Sequence, residues 1–207
     1  MSMCSQFSLE LSLKTDIDQA QNLGWGGLTL RINGEMVWFH QKENESRSPV
    51  YWNWVDLLIQ LSKSWTFLMS EVDYPLGLSP ESPLDLRKLA EARWEGAKTD
   101  DDIIFKEDDE ICRFEKRHNL ASGLRGLYLP SVHVVRDGEF AWVCVQDDHG
   151  NDTVVNGRFS FADVRAVLTD FGDKIAEHLK NSTHPRSLEA AKDWINAKEL
   201  FKDPSDE

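Results

Sequence analysis

The chain has 207 residues, 41% of them hydrophobic, and a formal net charge of −13. This length and hydrophobic content are typical of one large or two small folded domains and exclude a globally disordered chain. The negative charge argues against a protein that binds nucleic-acid phosphates or anionic membranes, since both need clustered lysine and arginine, and no apolar run is long enough to span a bilayer.

The first half predicts a strand, a hairpin and a capped helix. Ser8–Leu13 alternates polar and apolar residues, which is typical of a strand with one buried face. Leu28–Phe39 predicts a β-hairpin that turns at Asn33-Gly34, because a type I′ turn needs positive φ at both central residues. After a polar loop, Asn53 is the expected N-cap of a helix that ends before Pro75.

A second helix begins after Ser82-Pro83, a capping serine followed by proline at the first helical position. The segment 99–110 is strongly acidic, and we expect either a solvated loop or an interaction surface, with the apolar triplet Ile103–Phe105 as an anchor. A third helix is predicted over 109–124. The carboxylates of the acidic segment are Asp100, Asp101, Asp102, Glu107, Asp108, Asp109 and Glu110.

The second half predicts another hairpin and two more helices. The hairpin covers Leu127–Val145 and turns at Asp137-Gly138. Both of its faces are apolar, so we expect it to be central or covered on both sides. Thr153–Arg158 predicts a third strand, and Ser160 opens a helix with a capping-box pattern. A final helix is predicted over Ser187–Phe201.

Two short stretches, Asn33–Trp38 and Asp137–Trp142, nearly repeat each other, and each hairpin leads to a capped helix. Two such units predict an α+β fold in which the two hairpins build one antiparallel sheet packed with about five helices. Residues 1–207 then form a single domain, alternatively two pseudo-repeated halves, 8–98 and 109–201, joined by the acidic segment. Internal duplication and convergence of common turn and cap residues both account for the repeat.

The sequence indicates no cofactor or metal. The three cysteines, Cys4, Cys112 and Cys144, lack the paired spacing of a zinc site or a disulfide framework. Thiols of this kind indicate a reducing compartment, and Met1–Leu13 shows no signal-peptide pattern, so we expect a cytoplasmic protein. No two of the six histidines are four residues apart, as a His-Glu-x-x-His peptidase helix requires.

Positive charge is concentrated just after the acidic segment, at Arg117, His118 and Arg125. One interpretation is a recognition site in which His118 donates a hydrogen bond or acts as an acid or base. The other is structural, with these cations pairing with the neighbouring carboxylates and with the end of their own helix. The structural interpretation is favoured.

Four stretches follow one another in the order Trp52–Leu58, Glu71–Leu78, Arg117–Ala121 and Leu127–Pro130. This order resembles the N-terminal region of some bacterial proteins whose C-terminal half is an ImmA/IrrE-type zinc peptidase. The resemblance covers about 25–200, and its motifs are structural. It implies a bacterial sensing or partner-binding domain, of the kind that accompanies stress response, mobile elements or phage defence. The peptidase helix is missing, so no catalytic residue is carried over.

We therefore predict a non-catalytic bacterial protein-interaction or regulatory module that binds another protein. The expected class of partner is a peptidase or nucleic-acid enzyme encoded nearby. We expect no direct nucleic-acid or membrane partner, and self-association is left open. One alternative is an acidic inhibitor or accessory subunit that mimics nucleic acid. A second alternative is a hydrolase that uses His118. The candidate binding residues are the seven carboxylates of the acidic segment with Arg117, His118 and Arg125.

Overall fold

The computed structural model describes residues 7–12, 24–38, 48–124, 129–146 and 153–201, with the backbone alone for 9–12 and 153–156. It confirms the α+β class, with five α-helices among the described residues. The strands are β1 (Phe7–Ser12), β2 (Trp25–Ile32), β3 (Glu35–Trp38), β4 (Val50–Asn53), β5 (Ser131–Asp137), β6 (Phe140–Gln146) and β7 (Thr153–Ser160). The helices are α1 (Trp54–Ser70), α2 (Leu86–Ala97), α3 (Asp101–His118), α4 (Phe161–Lys180) and α5 (Pro185–Glu199).

The described strands form two antiparallel sheets, where the sequence predicted one. β1 pairs along one edge of β2. The other edge of β2 is shared by β3, opposite Leu30–Ile32, and by β4, opposite Trp25–Leu28. Because both edges of β2 are paired, it offers none to the second hairpin. That hairpin instead forms its own sheet in the order β5-β6-β7.

The two hairpins turn at different positions of the repeated stretch. In the first, Asn33 and Gly34 are the central residues with φ of 53° and 83°, as a type I′ turn requires. In the second, Asp137 still pairs with Phe140, so the turn lies one residue later than predicted. Gly138 takes the first central position with φ of 61°, as in a type II′ turn.

Strand pairing also differs between the two halves. The strand before the capped helix pairs with the first strand of its hairpin in one half (β4 with β2) and with the second strand in the other (β7 with β6). Internal duplication stays a prediction. Both predicted helix caps are present, because the Asn53 side chain accepts a hydrogen bond from Val55 N and Ser160 accepts one from Asp163 N.

The main core joins both sheets to α1, α4 and α5 and draws residues from both halves of the chain. Four tryptophans are fully buried in it: Trp38, Trp54, Trp65 and Trp194. The rings of Trp65 and Trp194 meet edge to face with their centroids 4.8 Å apart, a preferred aromatic geometry. α1 and α5 are thereby packed against each other.

The helices α2 and α3, which we call the helical hairpin, pack against the β5 side of the other face of the second sheet. The two helices are joined at Lys98, whose φ is 48°. Their small core contains Leu86, Ala90, Ile111, Phe114 and, from the sheet, Val135. This packing accounts for the apolar Val135 on that face, whereas Phe140 on the same face is 46% exposed, so the predicted hairpin is covered on both sides only in part.

The expectation of an acidic loop is wrong, because most of that segment forms the first half of α3. Asp100 caps this helix by accepting a hydrogen bond from Asp102 N at 2.9 Å. Acidic residues fill the first turn and basic residues the last, so both ends complement the helix dipole. Only a narrow stripe of α3 is buried. The apolar residues in its first half are therefore too few to show the helical periodicity from which a helix is predicted. The predicted helix over 109–124 captures its second half.

Candidate functional site

Three carboxylates of the acidic segment stabilise the helical hairpin. Asp100 is the helix cap. Glu107 accepts hydrogen bonds from Trp94 Nε1 at 2.6 Å and from Arg93 Nη2 at 3.1 Å, and both donors lie on α2. Asp108 accepts from Arg87 Nη1 at 3.0 Å. Glu107 and Asp108 face the opposite helix and Asp100 caps its own, so all three have a structural role.

A second group of acidic residues faces solvent around an exposed aromatic ring. Phe105 is 77% exposed. Asp101 and Asp102 lie one turn before it and Asp109 one turn after it, so all four residues share one side of α3. We call this surface the acidic stripe. Among the described residues, Asp109 has an ion pair with Arg113 of the same helix, and neither Asp101 nor Asp102 has a cationic partner.

The remaining candidates do not join the acidic stripe. Glu110 is exposed on the opposite flank of α3, with Ile103. Arg117 is half-buried and donates two hydrogen bonds to Glu71, from Nε at 2.7 Å and from Nη2. Arg125 lies outside the described residues.

His118 is fully buried rather than exposed for recognition. Its Nδ1 lies 2.9 Å from the carbonyl oxygen of Phe114, and its Nε2 lies 3.6 Å from Glu71 Oε2. Burial lowers the pKa of His118 below its usual value. These contacts favour the structural interpretation of Arg117 and His118, but the predicted partner is wrong: the carboxylate is Glu71, just after α1, and not one from the acidic segment.

A cleft of about 440 Å³ lies beside the acidic stripe, between the base of the helical hairpin and the second sheet. We call it the hairpin cleft. Cys112 and Lys116, which continue along the same side of α3 as Phe105, form one wall. Arg87 contributes from α2, and its Nη2 donates a hydrogen bond to Cys112 Sγ at 3.2 Å.

The sheet side of the cleft carries polar residues that the sequence reasoning did not single out. Ser131, His133 and Val135 alternate along β5, and Gln146 of β6 is paired opposite Ser131. Burial, reinforced by the nearby His118, lowers the pKa of His133 to about 4, so its imidazole is neutral at pH 7. The strand alternation was the available signal, since it places His133 on the same face as Val135.

Among the described residues, no group of three histidine, cysteine or acidic side chains is arranged to hold a metal ion. None of the described helices combines the length and apolar composition needed to cross a membrane.

No family model, curated protein or solved structure matches the chain. The resemblance to the region that precedes ImmA/IrrE-type peptidases accordingly stays a prediction.

Proposed function

We propose that this protein is a non-catalytic interaction module that binds a basic partner protein through the acidic stripe. The observation that carries the proposal is the 77% exposure of Phe105 between carboxylates one helical turn away on either side. Aromatic side chains are enriched among the residues that dominate binding energy at protein interfaces, and burying one is worth about 1.5–3 kcal/mol. Phe105 is the proposed anchor.

The charge around Phe105 selects the kind of partner. The chain carries a net charge of −13, and the carboxylates of the acidic stripe add a local negative field. Such a field accelerates association with a basic surface and repels nucleic-acid phosphates. The complementary surface is an apolar pocket flanked by lysine or arginine. The proposed class of partner is a peptidase or nucleic-acid enzyme encoded nearby.

The buried position of His118 does not favour the hydrolase alternative. Its imidazole packs against the Phe114 ring, with centroids 4.1 Å apart, and its exposed fraction is 0%. A general acid or base must come within hydrogen-bond reach of the substrate.

A photo-crosslinking experiment tests the proposal. A photoreactive phenylalanine analogue replaces Phe105 in one variant and Leu200 in another, and both are expressed in the cells that encode the protein. Leu200 is a matched control because it is 75% exposed and lies beyond α5, away from the acidic stripe. We expect a specific protein adduct from position 105 alone. Equal adducts from both positions, or none, contradict the proposal.

Binding by the purified partner then measures the contribution of the stripe. Phe105→Ala should weaken affinity about tenfold or more, whereas Leu200→Ala should leave it unchanged. Asp109→Lys should also weaken the affinity, because it reverses a charge of the acidic stripe. Asp170→Lys is the control, since Asp170 likewise forms an exposed ion pair with a residue one turn along its own helix. A steep loss of affinity with salt, together with no effect of Phe105→Ala, would support the nucleic-acid-mimic alternative instead.

A further inference from the structure

The hairpin cleft has the size and lining of a small-molecule site. Its volume of about 440 Å³ lies within the range of about 300–1,000 Å³ that is usual for ligand pockets. One part of the lining is apolar and includes Pro83, Leu84 and Val135. The polar part lies on the sheet and at the C-terminal half of α3. A ligand seated there would meet both a hydrocarbon wall and a set of hydrogen-bonding groups.

The hydrogen-bonding groups on the sheet side are available to a ligand. Within the described residues, neither the imidazole of His133 nor the carboxamide of Gln146 has a hydrogen-bond partner. Gln146 is paired opposite Ser131, and His133 follows Ser131 by two residues, so the three side chains are neighbours on one face of the sheet. Each of them has a hydrogen to donate.

Asn119 orients the donor on Ser131. Asn119 Oδ1 accepts hydrogen bonds from Ala121 N at 2.9 Å and from Val132 N at 3.1 Å, which fixes the direction of the amide. Its Nδ2 therefore points at Ser131 Oγ, 3.2 Å away, and donates to it. The Ser131 hydroxyl accepts this hydrogen bond and keeps its own hydrogen to donate, and Ser131 lines the cleft.

The cleft also contains one positively charged group, the Lys116 ammonium, that has no carboxylate partner among the described residues. Arg87 and Glu115 both line the cleft and pair with each other, with Nη2 2.6 Å from Oε2, and Arg87 is also held by Asp108. Lys116 lines the same cleft, and no carboxylate of the described residues pairs with it. One unpaired ammonium group together with several neutral donors complements a single negative charge spread over two oxygen atoms.

We propose that the hairpin cleft binds a small carboxylate with an apolar body, whose oxygens accept hydrogen bonds from Lys116, Ser131, His133 and Gln146. The carboxylate belongs either to a free organic acid or to the C-terminus of a peptide. This site is distinct from the acidic stripe. An experiment that contradicts carboxylate binding in the cleft therefore leaves the proposed protein binding at the stripe untouched, and the reverse also holds.

Nuclear magnetic resonance titration of the ¹⁵N-labelled protein with phenylacetate tests the proposal, with phenylacetamide as the uncharged counterpart. We expect saturable shifts in the millimolar range at residues lining the cleft, and about tenfold weaker binding of the amide, because it lacks the charge-assisted hydrogen bonds. Lys116→Gln and Gln146→Leu should each weaken phenylacetate binding. Lys106→Gln, an exposed lysine on the same helix outside the cleft, should not. The absence of saturable shifts, equal affinities for acid and amide, or shifts elsewhere overturns the proposal.

Two further arms identify the source of the carboxylate and supply an independent readout. A short peptide ending in phenylalanine is compared with its C-terminal amide. Binding of the free-acid peptide more tightly than phenylacetate assigns a peptide C-terminus, and the reverse order assigns a free acid. In a Cys4→Ser background, bound phenylacetate should slow modification of Cys112, because this exposed thiol lines the cleft. An unchanged rate at saturating phenylacetate also overturns the proposal.

Discussion

Glu71, just after the end of α1, accepts two hydrogen bonds from Arg117, in the last turn of α3, and so joins two helices that the sequence separates by 46 residues. The guanidinium group also lies over the rings of Phe67 and Phe114, at 5.0 and 5.3 Å from their centroids. This half-buried, two-pronged contact fixes the C-terminal end of α3 against the main body of the protein.

Breaking this pair should destabilise the protein more than breaking an exposed pair on the same helix. Hydrogen bonds to charged groups contribute about 1.5–3 kcal/mol, so Arg117→Met should lower the free energy of unfolding by about that amount. Arg113→Met removes the exposed pair with Asp109 and should cost about 0.5 kcal/mol or less. Urea denaturation of the two variants makes the comparison. Equal losses would show that the Glu71 contact has no special weight.

Gly172 should not tolerate even a methyl group. A Cβ atom there would lie 2.3 Å from Cζ2 of the buried Trp194, so Gly172→Ala should destabilise by about 1–3 kcal/mol through overpacking. Gly96 is the matched control, since it is also helical and a Cβ there meets nothing within 4 Å. Gly96→Ala should be neutral or stabilising by up to about 1 kcal/mol. Thermal unfolding measures both, and a smaller cost of Gly172→Ala in a Trp194→Leu background confirms the cause.

Stability should fall below neutral pH partly because of His133. Its folded pKa of about 4 is below the usual 6.5, so the unfolded chain binds more protons between these values. The contribution of the neutral imidazole is therefore fully present above about pH 6.5 and is lost as the pH falls toward 4, amounting to about 3 kcal/mol. Urea midpoints from pH 4 to 7 should decline less steeply for His133→Gln than for the wild type. Parallel profiles would contradict this assignment.

The two described cysteines should differ sharply in reactivity. Cys112 is exposed, whereas Cys144 is fully buried, and burial raises the pKa of the Cys144 thiol to about 12. Since the thiolate is the reactive form, iodoacetamide should modify Cys112 alone in a folded Cys4→Ser variant. Mass spectrometry should show a second adduct, at Cys144, only after addition of denaturant. Rapid double modification under native conditions would be inconsistent with the buried position of β6.

Local signals predicted most of the elements. The turn residues Asn33-Gly34 and the caps Asn53 and Ser160 act through backbone groups a few residues away, and all are found as predicted. Strand β4 and the first half of α3 have weak local signals and were missed. β4 is short, and α3 buries only a narrow stripe, so neither shows the periodicity from which a strand or helix is inferred.

The sequence by itself therefore determined the α+β class, the position of most helices, and the accumulation of negative charge in 99–110. Only the tertiary structure decided what those charges do. It turned Glu107 and Asp108 toward α2, left Phe105 exposed among the others, and buried His118. It also brought Lys116 and His133 to one cleft from separate elements. Such outcomes depend on which side of each helix packs against the sheet, and this is a property of long-range contacts that local sequence patterns do not encode.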